Sequence, residues 1–354
     1  MTAMTPSGDF RTSYKADTTV FPTVTSRNAV ILAVALACAL PFVADRYTLN
    51  LLIQIGYLGI AALGLNILVG FTGQISIGHA AFFGVGAFAS AWFAEHGVPV
   101  FFAIPLAGLV TTLVGIVFGL PAARLKGLYL AIATLAAQFI LEDFFARARW
   151  FTGGVAGRIT EPMVIFGFRF DSNETYFYVV LAYVVVTYLM VANLMRTRDG
   201  RALVAVRDHY LSAEMMGINL TKYRTLSFGI SAFYAGLGGA LYAHYLLFVS
   251  VEAFNILFSI QFLGMIIIGG LGSVMGSLMG TAFMVLLPEA VQWGVETLQG
   301  GAIDRALKLS GSIAYLREMV IGAVIILFLI FEPDGLAHRW KQIKAYWKLY
   351  PFSH

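Results

Sequence analysis

Charge is what this chain of 354 residues has least of: Asp, Glu, Lys and Arg together make up 12% of it. A soluble globular domain carries roughly a quarter, so the deficit excludes an ordinary water-soluble fold and points to lipid as the surrounding solvent. Cysteine is nearly absent. The single Cys38 lies in an apolar run, which rules out an intrachain disulfide and a cysteine-rich metal centre; it reads as a small buried hydrophobe. No glycine-rich phosphate loop with its lysine occurs, so this chain does not hydrolyse nucleotide by itself. No H-E-x-x-H pair offers a zinc site. Acidic residues deep in a span mark ion coupling, yet Glu142, Asp143, Glu289 and Glu318 fall near the ends of the expected helices. His79 and His244 are lone and read as hydrogen-bonded structural histidines. With no buried carboxylate for an ion-driven carrier, the driving energy is expected to enter from elsewhere.

What remains is apolar. Hydrophobic residues make up 59% of the chain, with 36 glycines and 29 phenylalanines, and the mean hydropathy is +0.81. Small residues let membrane helices approach closely. A crossing helix needs about 20 apolar residues, and on that ruler ten segments stand out: 28–44, 48–70, 76–95, 100–120, 127–145, 175–195, 223–247, 254–272, 274–294 and 314–332. The expected fold is all-α, a polytopic transmembrane bundle of about ten spans (8–10). Residues 1–27 read as a polar tail without the apolar core of a signal peptide, 28–335 as the membrane domain, and 336–354 as a basic and aromatic tail. In that tail Arg339, Trp340, Lys341, Lys344, Trp347 and Lys348 suit an interfacial anchor on anionic lipid.

The net charge of +4 sets orientation in such a chain and does not argue for nucleic acid. With both termini cytoplasmic, most of the 23 Lys and Arg residues fall on the cytoplasmic side, as the positive-inside rule requires. Two outward connections remain, 146–174 and 295–313. The first can form a small cap meeting a soluble partner and the second an outer helix; plain linker is the alternative for both.

Between two apolar runs lies a polar island, 196–224, holding Arg196, Arg198, Arg201, Arg207, Lys222 and Arg224 beside Asp199, Asp208 and Glu214. Asp199 can cap a helix start, and Ala202, Val206, Ala213 and Gly217 fall on one face of a 3.6-residue period. Gly217 is the expected stop and Thr221 the cap of the next helix. A short amphipathic helix here suits docking onto another protein at the membrane surface; a solvated basic loop is the plainer reading. The second feature is Gly70 to Gly84, where Gly73, Gln74, Ser76, Gly78 and His79 interrupt apolar sequence ahead of Phe82. Two readings stand. One is a broken or re-entrant helix lining a solute path, because unpaired backbone in a bilayer is tolerated only inside protein or beside water. The other is an ordinary turn with small residues for packing. A looser glycine-rich echo appears at 269–280.

Taken together, the run Gly70–Gly84, the stretch Lys126–Leu135, and the island pattern through Arg201-Ala202-Leu203, Arg207-Asp208, Ala213-Glu214, Gly217-Ile218 and Gly239–His244 resemble one family. It is the LivM-type permease subunit of branched-chain amino acid ABC importers, and the likeness covers about residues 30–335. The resemblance implies a bacterial inner-membrane, multi-pass subunit beside a LivH-like permease. Two ABC ATPases would bind ATP and Mg outside this chain, and a periplasmic binding protein would deliver a small polar solute. It implies further that Arg201, Arg207, Asp208, Ala213, Glu214 and Gly217 belong to the helix that docks on an ATPase. Residues 70–84, with Gly73, Gln74, Ser76, Gly78, His79 and Phe82, would line or border the path. Relatives of this type serve urea, amides and aromatic or other carboxylates, which the motifs do not separate. The rival of another class is a self-sufficient carrier or channel; a membrane-embedded enzyme finds no catalytic set.

Overall fold

The computed structural model describes residues 24–165, 167–298 and 313–349. The polar tail expected over 1–27 lies outside this range except for its last residues, and the outer helix expected over 295–313 falls largely on residues outside it.

Each of the ten apolar segments coincides with a helix, but the helices differ in length. Helix α1 (Val24–Ala39) ends in a 3₁₀ turn, Leu40–Phe42. Helix α2 (Arg46–Asn66) runs on through a π-helical turn, Ile67–Phe71. Then come α3 (His79–Glu95), α4 (Val100–Ala122), α5 (Leu128–Arg147) and the single turn α6 (Arg149–Thr152), followed by α7 (Asn173–Leu194). The island holds α8 (Arg198–Asp208) and α9 (Tyr210–Met215), and the long α10 (Leu220–Leu246) follows. The chain closes with α11 (Ile256–Gly269), α12 (Val274–Leu298), α13 (Ile313–Phe331) and α14 (Leu336–Leu349). Among the described residues six helices are long and apolar enough to cross a membrane: Arg46–Phe71, Val100–Ala122, Leu128–Arg147, Asn173–Leu194, Leu220–Leu246 and Val274–Thr297. A seventh crossing results if Glu318–Phe331 and Leu336–Tyr346, bent by 50°, act as one. The remaining expected spans, 28–44, 76–95 and 254–272, are met by helices of at most 17 residues, shorter than a full crossing.

Burial explains which helices stand inside. From Gly56 to Phe71 every residue of α2 is buried, as is every residue of α3 from His79 to Ala91. A helix apolar on all faces belongs in the interior. Helix α10 packs against both, and glycine makes that approach possible: a side chain at Gly86 would overlap the backbone of Gly236, and one at Gly239 the Phe83 carbonyl. The aromatic core gathers round Phe83, whose ring meets Tyr242, Phe258 and Phe262 at 5.5 Å each. Helices α4, α5 and α13 instead leave Leu113, Val117, Ile140 and Ile330 exposed, the surface that lipid or another subunit covers.

Strands are the departure from an all-α chain. The connection 146–174 pairs β1 (Arg158–Ile159) antiparallel with β4 (Phe248–Val249), and β2 (Met163–Ile165) with β3 (Phe168–Phe170). It forms a small cap, held by Arg158 to Glu95 at 2.8 Å and by Thr160 Oγ1 donating to the Ala243 carbonyl at 2.7 Å. Helix α10 therefore begins at the island and ends at this cap, which defines two opposite ends of the bundle.

Candidate functional site

At the island end, sequence and structure agree on helices and differ on their caps. Thr197, one residue before α8, accepts from the Gly200 amide at 3.2 Å, while Asp199 sits in the first turn and accepts from the Tyr223 hydroxyl at 3.0 Å. The next helix is capped by Asn219, which accepts from the Lys222 amide, and not by Thr221. Either change follows from one rule: the cap must hold extended backbone so that its oxygen reaches back over the first turn, and Thr197 and Asn219 do. The island is two helices, because His209 takes an extended conformation between them and its Nδ1 accepts from the Ser212 amide. Ala202, Val206 and Ala213 form the buried face. Gly217 does not join it. It is exposed, nothing lies within 4 Å of where its Cβ would stand, and its φ of +86° is what the sharp stop requires.

Arg207 connects the island to the bundle. Its Nη1 donates to the Gly70 carbonyl at 2.8 Å, and its Nε to Asp208 at 2.8 Å. Gly73, with φ +72°, and Gly272, with φ +73°, both leave room for this side chain: a Cβ at either would come within 3.0 Å of it. The two glycine-rich turns, 70–73 and 269–273, therefore lie side by side beneath one arginine. Asn66 joins them from inside. Its amide nitrogen donates to the Ser273 carbonyl at 2.8 Å and to Ser277 Oγ at 2.7 Å, and its oxygen accepts from the Gly272 amide at 2.9 Å. Sequence reasoning missed Asn66; its only signal was a lone amide in an apolar run. The loop before α5 is tied in by Lys126, 4.0 Å above the Tyr210 ring, and by Arg224 donating to the Ala123 carbonyl at 3.1 Å. Arg201 is turned back to the Arg196 carbonyl at 2.8 Å, and Glu214 is exposed. Leu211, Met215 and Met216 are bare, the last two 88% and 83% exposed.

The stretch 72–78 is non-helical and mostly buried, as a broken helix would be. Its polar groups largely meet partners in the protein. Gln74 Nε2 donates to Ser227 Oγ at 2.6 Å, and the Ile77 amide donates to Thr134 Oγ1 at 3.1 Å. His79 Nε2 donates to the Ala61 carbonyl at 2.9 Å. The free amides of the first turn of α3 are met from neighbouring helices: Ala80 donates to Ser259 Oγ, and Ala81 to Gln138 Oε1, each at 2.9 Å. Buried helix-start amides need partners from the protein when they stand away from solvent. Gly78 touches the Thr134 backbone so closely that no side chain fits, and Phe82 packs edge-on against Phe118. Gln74 Oε1 and Ser76 Oγ are buried without a partner.

Two cavities lie nearer the cap end. One, of about 240 Å³, is lined by Asn50, Asn173, Tyr176, His244 and Tyr245 among others. The other, of about 220 Å³, opens between α2, α11, α12 and α13. Among the described residues no cluster of His, Cys, Asp and Glu suits a metal ion.

A polytopic helical bundle with a charged amphipathic element docked across two glycine turns at one end has the build of a permease subunit. The chain belongs to the family described as branched-chain amino acid transport system / permease component, which matches residues 47–329. It is 28% identical over 339 residues to the high-affinity branched-chain amino acid transport system permease protein LivM of Salmonella typhimurium, covering 89% of this chain and 75% of that protein. The LivM protein of Escherichia coli is 27% identical over the same span and shares. The fructose import permease protein FruG of Bifidobacterium longum is 26% identical over 353 residues, 92% of this chain and 94% of that one. No solved structure matches.

Proposed function

We propose that this chain is one permease of an ABC importer for branched-chain or related amino acids, that the island faces the cytoplasm, and that it receives the movement of ATPase subunits. The observation that carries the reading is Arg207. It joins the island helix to the Gly70 carbonyl in the bundle, while Leu211, Met215 and Met216, on the far side of the island, stand exposed where a partner groove can take them. The family and the two LivM relatives support the substrate class; the fructose import permease, 26% identical, shows that likeness at this level extends to a protein named for another solute. The orientation rests on the basic residues of the island. In this reading both termini are cytoplasmic, with shorter helices such as α3 and α11 making up the count of about ten membrane segments. The strand-built cap faces the periplasm, where it meets a substrate receptor, and a second, LivH-like permease completes the path. ATP and Mg belong to the two ATPases. The membrane is the bacterial inner membrane.

Mechanistically, ATPase closure shifts the exposed tip and, through Arg207, the turns at 70–73 and 270–273, which lie at the cytoplasmic ends of α2 and α11. A conformational change needs contacts that differ between the two states, and these turns provide them. The test is uptake of leucine, isoleucine and valine by proteoliposomes holding this chain with a LivH-like permease, two ATPases and a receptor. ATP-dependent accumulation is expected. Solute flux through the purified chain alone would overturn the reading in favour of a self-sufficient channel or carrier.

A further inference from the structure

The cavity between α2, α11, α12 and α13 holds an unusual polar set for its depth. Glu289 lies eight residues before the end of the apolar span Val274–Thr297, about 12 Å inside it at ~1.5 Å per residue. The sequence had suggested a carboxylate close to a helix end; the helix continues further than expected. Glu289 is half-exposed in the chain by itself; within a lipid bilayer an ionisable group on such a span is costly unless something pairs with it. Among the described residues its partner is the Tyr47 hydroxyl, a neutral donor, and no cation pairs with it. Facing the same cavity are Gln54 of α2 and Gln261 of α11. Both are half-buried, and neither side chain makes a hydrogen bond to another described residue, whereas the fully buried Asn66 and Gln138 are bonded on both amide atoms. The remaining wall is apolar and buried, with Leu58, Met265 and Met284. At about 220 Å³ the space is below the roughly 300–1,000 Å³ of a drug-sized ligand cleft, and suits a single small solute.

We propose that this cavity is the station at which the importer holds its solute in the half of the membrane nearer the cap, and that it selects zwitterionic amino acids with aliphatic side chains. The inference rests on the proposed function above. Each part of such a solute has a complement here. The α-ammonium supplies the cation that Glu289 lacks among the described residues, forming a charge-assisted bond. The two glutamine amides donate to the α-carboxylate. The aliphatic side chain lies on Leu58, Met265 and Met284, where methionine adapts to branched shapes. The same chemistry rejects other solutes of this transporter class. A simple carboxylate brings a like charge to Glu289 with no ammonium to offset it. Urea leaves the apolar wall uncovered, and a sugar brings hydroxyl groups against it that find no partner.

The test uses the complete importer with its receptor, in parallel with the receptor-free complex. Radiolabelled leucine binding is measured on the receptor-free complex, and leucine uptake at saturating loaded receptor on proteoliposomes. Glu289→Gln keeps the shape and removes the charge; it is expected to weaken leucine binding about tenfold or more and to slow uptake. Gln261→Leu, on the facing wall, is expected to weaken binding several-fold and serves if the first variant fails to assemble, which size-exclusion chromatography reads. In the wild-type complex, 4-methylpentanoate, which lacks the ammonium, is expected not to displace leucine. If both variants bind and import leucine as the wild type does, the station lies elsewhere and the importer reading stands. If the wild-type complex imports no branched-chain amino acid, the functional reading fails and this inference with it.

Discussion

Two polar patches interrupt the apolar helices, one buried around residues 74–81 and one half-buried around Glu289, and they differ in how many of their groups the protein itself bonds. Around residues 74–81 most donors meet fixed partners, namely Ser227, Thr134, the Ala61 carbonyl, Ser259 and Gln138, while Gln74 Oε1 and Ser76 Oγ are left over. Around Glu289 the two glutamines of the cavity wall make no bond within the described protein, and the carboxylate has only a hydroxyl. The first patch couples helices to one another; the second is open to something that arrives. A buried group that has its partner holds a fold in register, whereas the half-buried groups round Glu289 leave their bonding capacity facing a cavity.

The comparison can be broken first at Gly78. Gly78→Leu drives a side chain into the Thr134 backbone, and the complex is expected to fall apart, with assembled material lost from membranes on size-exclusion analysis. Survival with altered solute preference would move this stretch from strut to binding wall. Next comes Arg207→Ala, which removes the bond to Gly70. A charged hydrogen bond is worth roughly 1.5–3 kcal/mol, so uptake is expected to fall at least about tenfold while the complex still assembles and hydrolyses ATP. Gln138→Leu strips the Ala81 amide and Ser259 of their acceptor. Stability is expected to drop by about 1–3 kcal/mol, read as a lower melting temperature, with solute preference unchanged. The smallest effect is that of Thr197→Ala, about 1 kcal/mol for one lost cap, seen as faster amide exchange in α8 with transport nearly intact.

How much of this could be read in the sequence follows from what sequence patterns encode. The ten apolar segments all become helices, because helix formation in an apolar run depends on local composition. Whether each crosses depends on length and surroundings, which is why 76–95 and 254–272 become the shorter α3 and α11. The island was legible as amphipathic, and Ala202, Val206 and Ala213 are indeed its buried face. Gly217 fits the period by arithmetic, yet lies past the helix end and serves the turn. Cys38, expected to be buried, is half-exposed, since α1 lies at the edge of the bundle. The cap strands left no signal, being two or three residues long. The candidates at 70–84 caught the eye because they cluster along the chain. Gln54, Gln261 and Glu289 share a cavity only after three helices have packed, and no linear motif marks them.

Asn66 and Arg207 have one more implication. Because a lone amide clamps Gly272, Ser273 and Ser277 to the end of α2, and a lone guanidinium sits over the same pair of turns, helices far apart in the chain are geared to each other. Any stroke delivered at the tip must turn both hairpins in unison. A substitution at Asn66 or Arg207 would let the two turns move independently of each other.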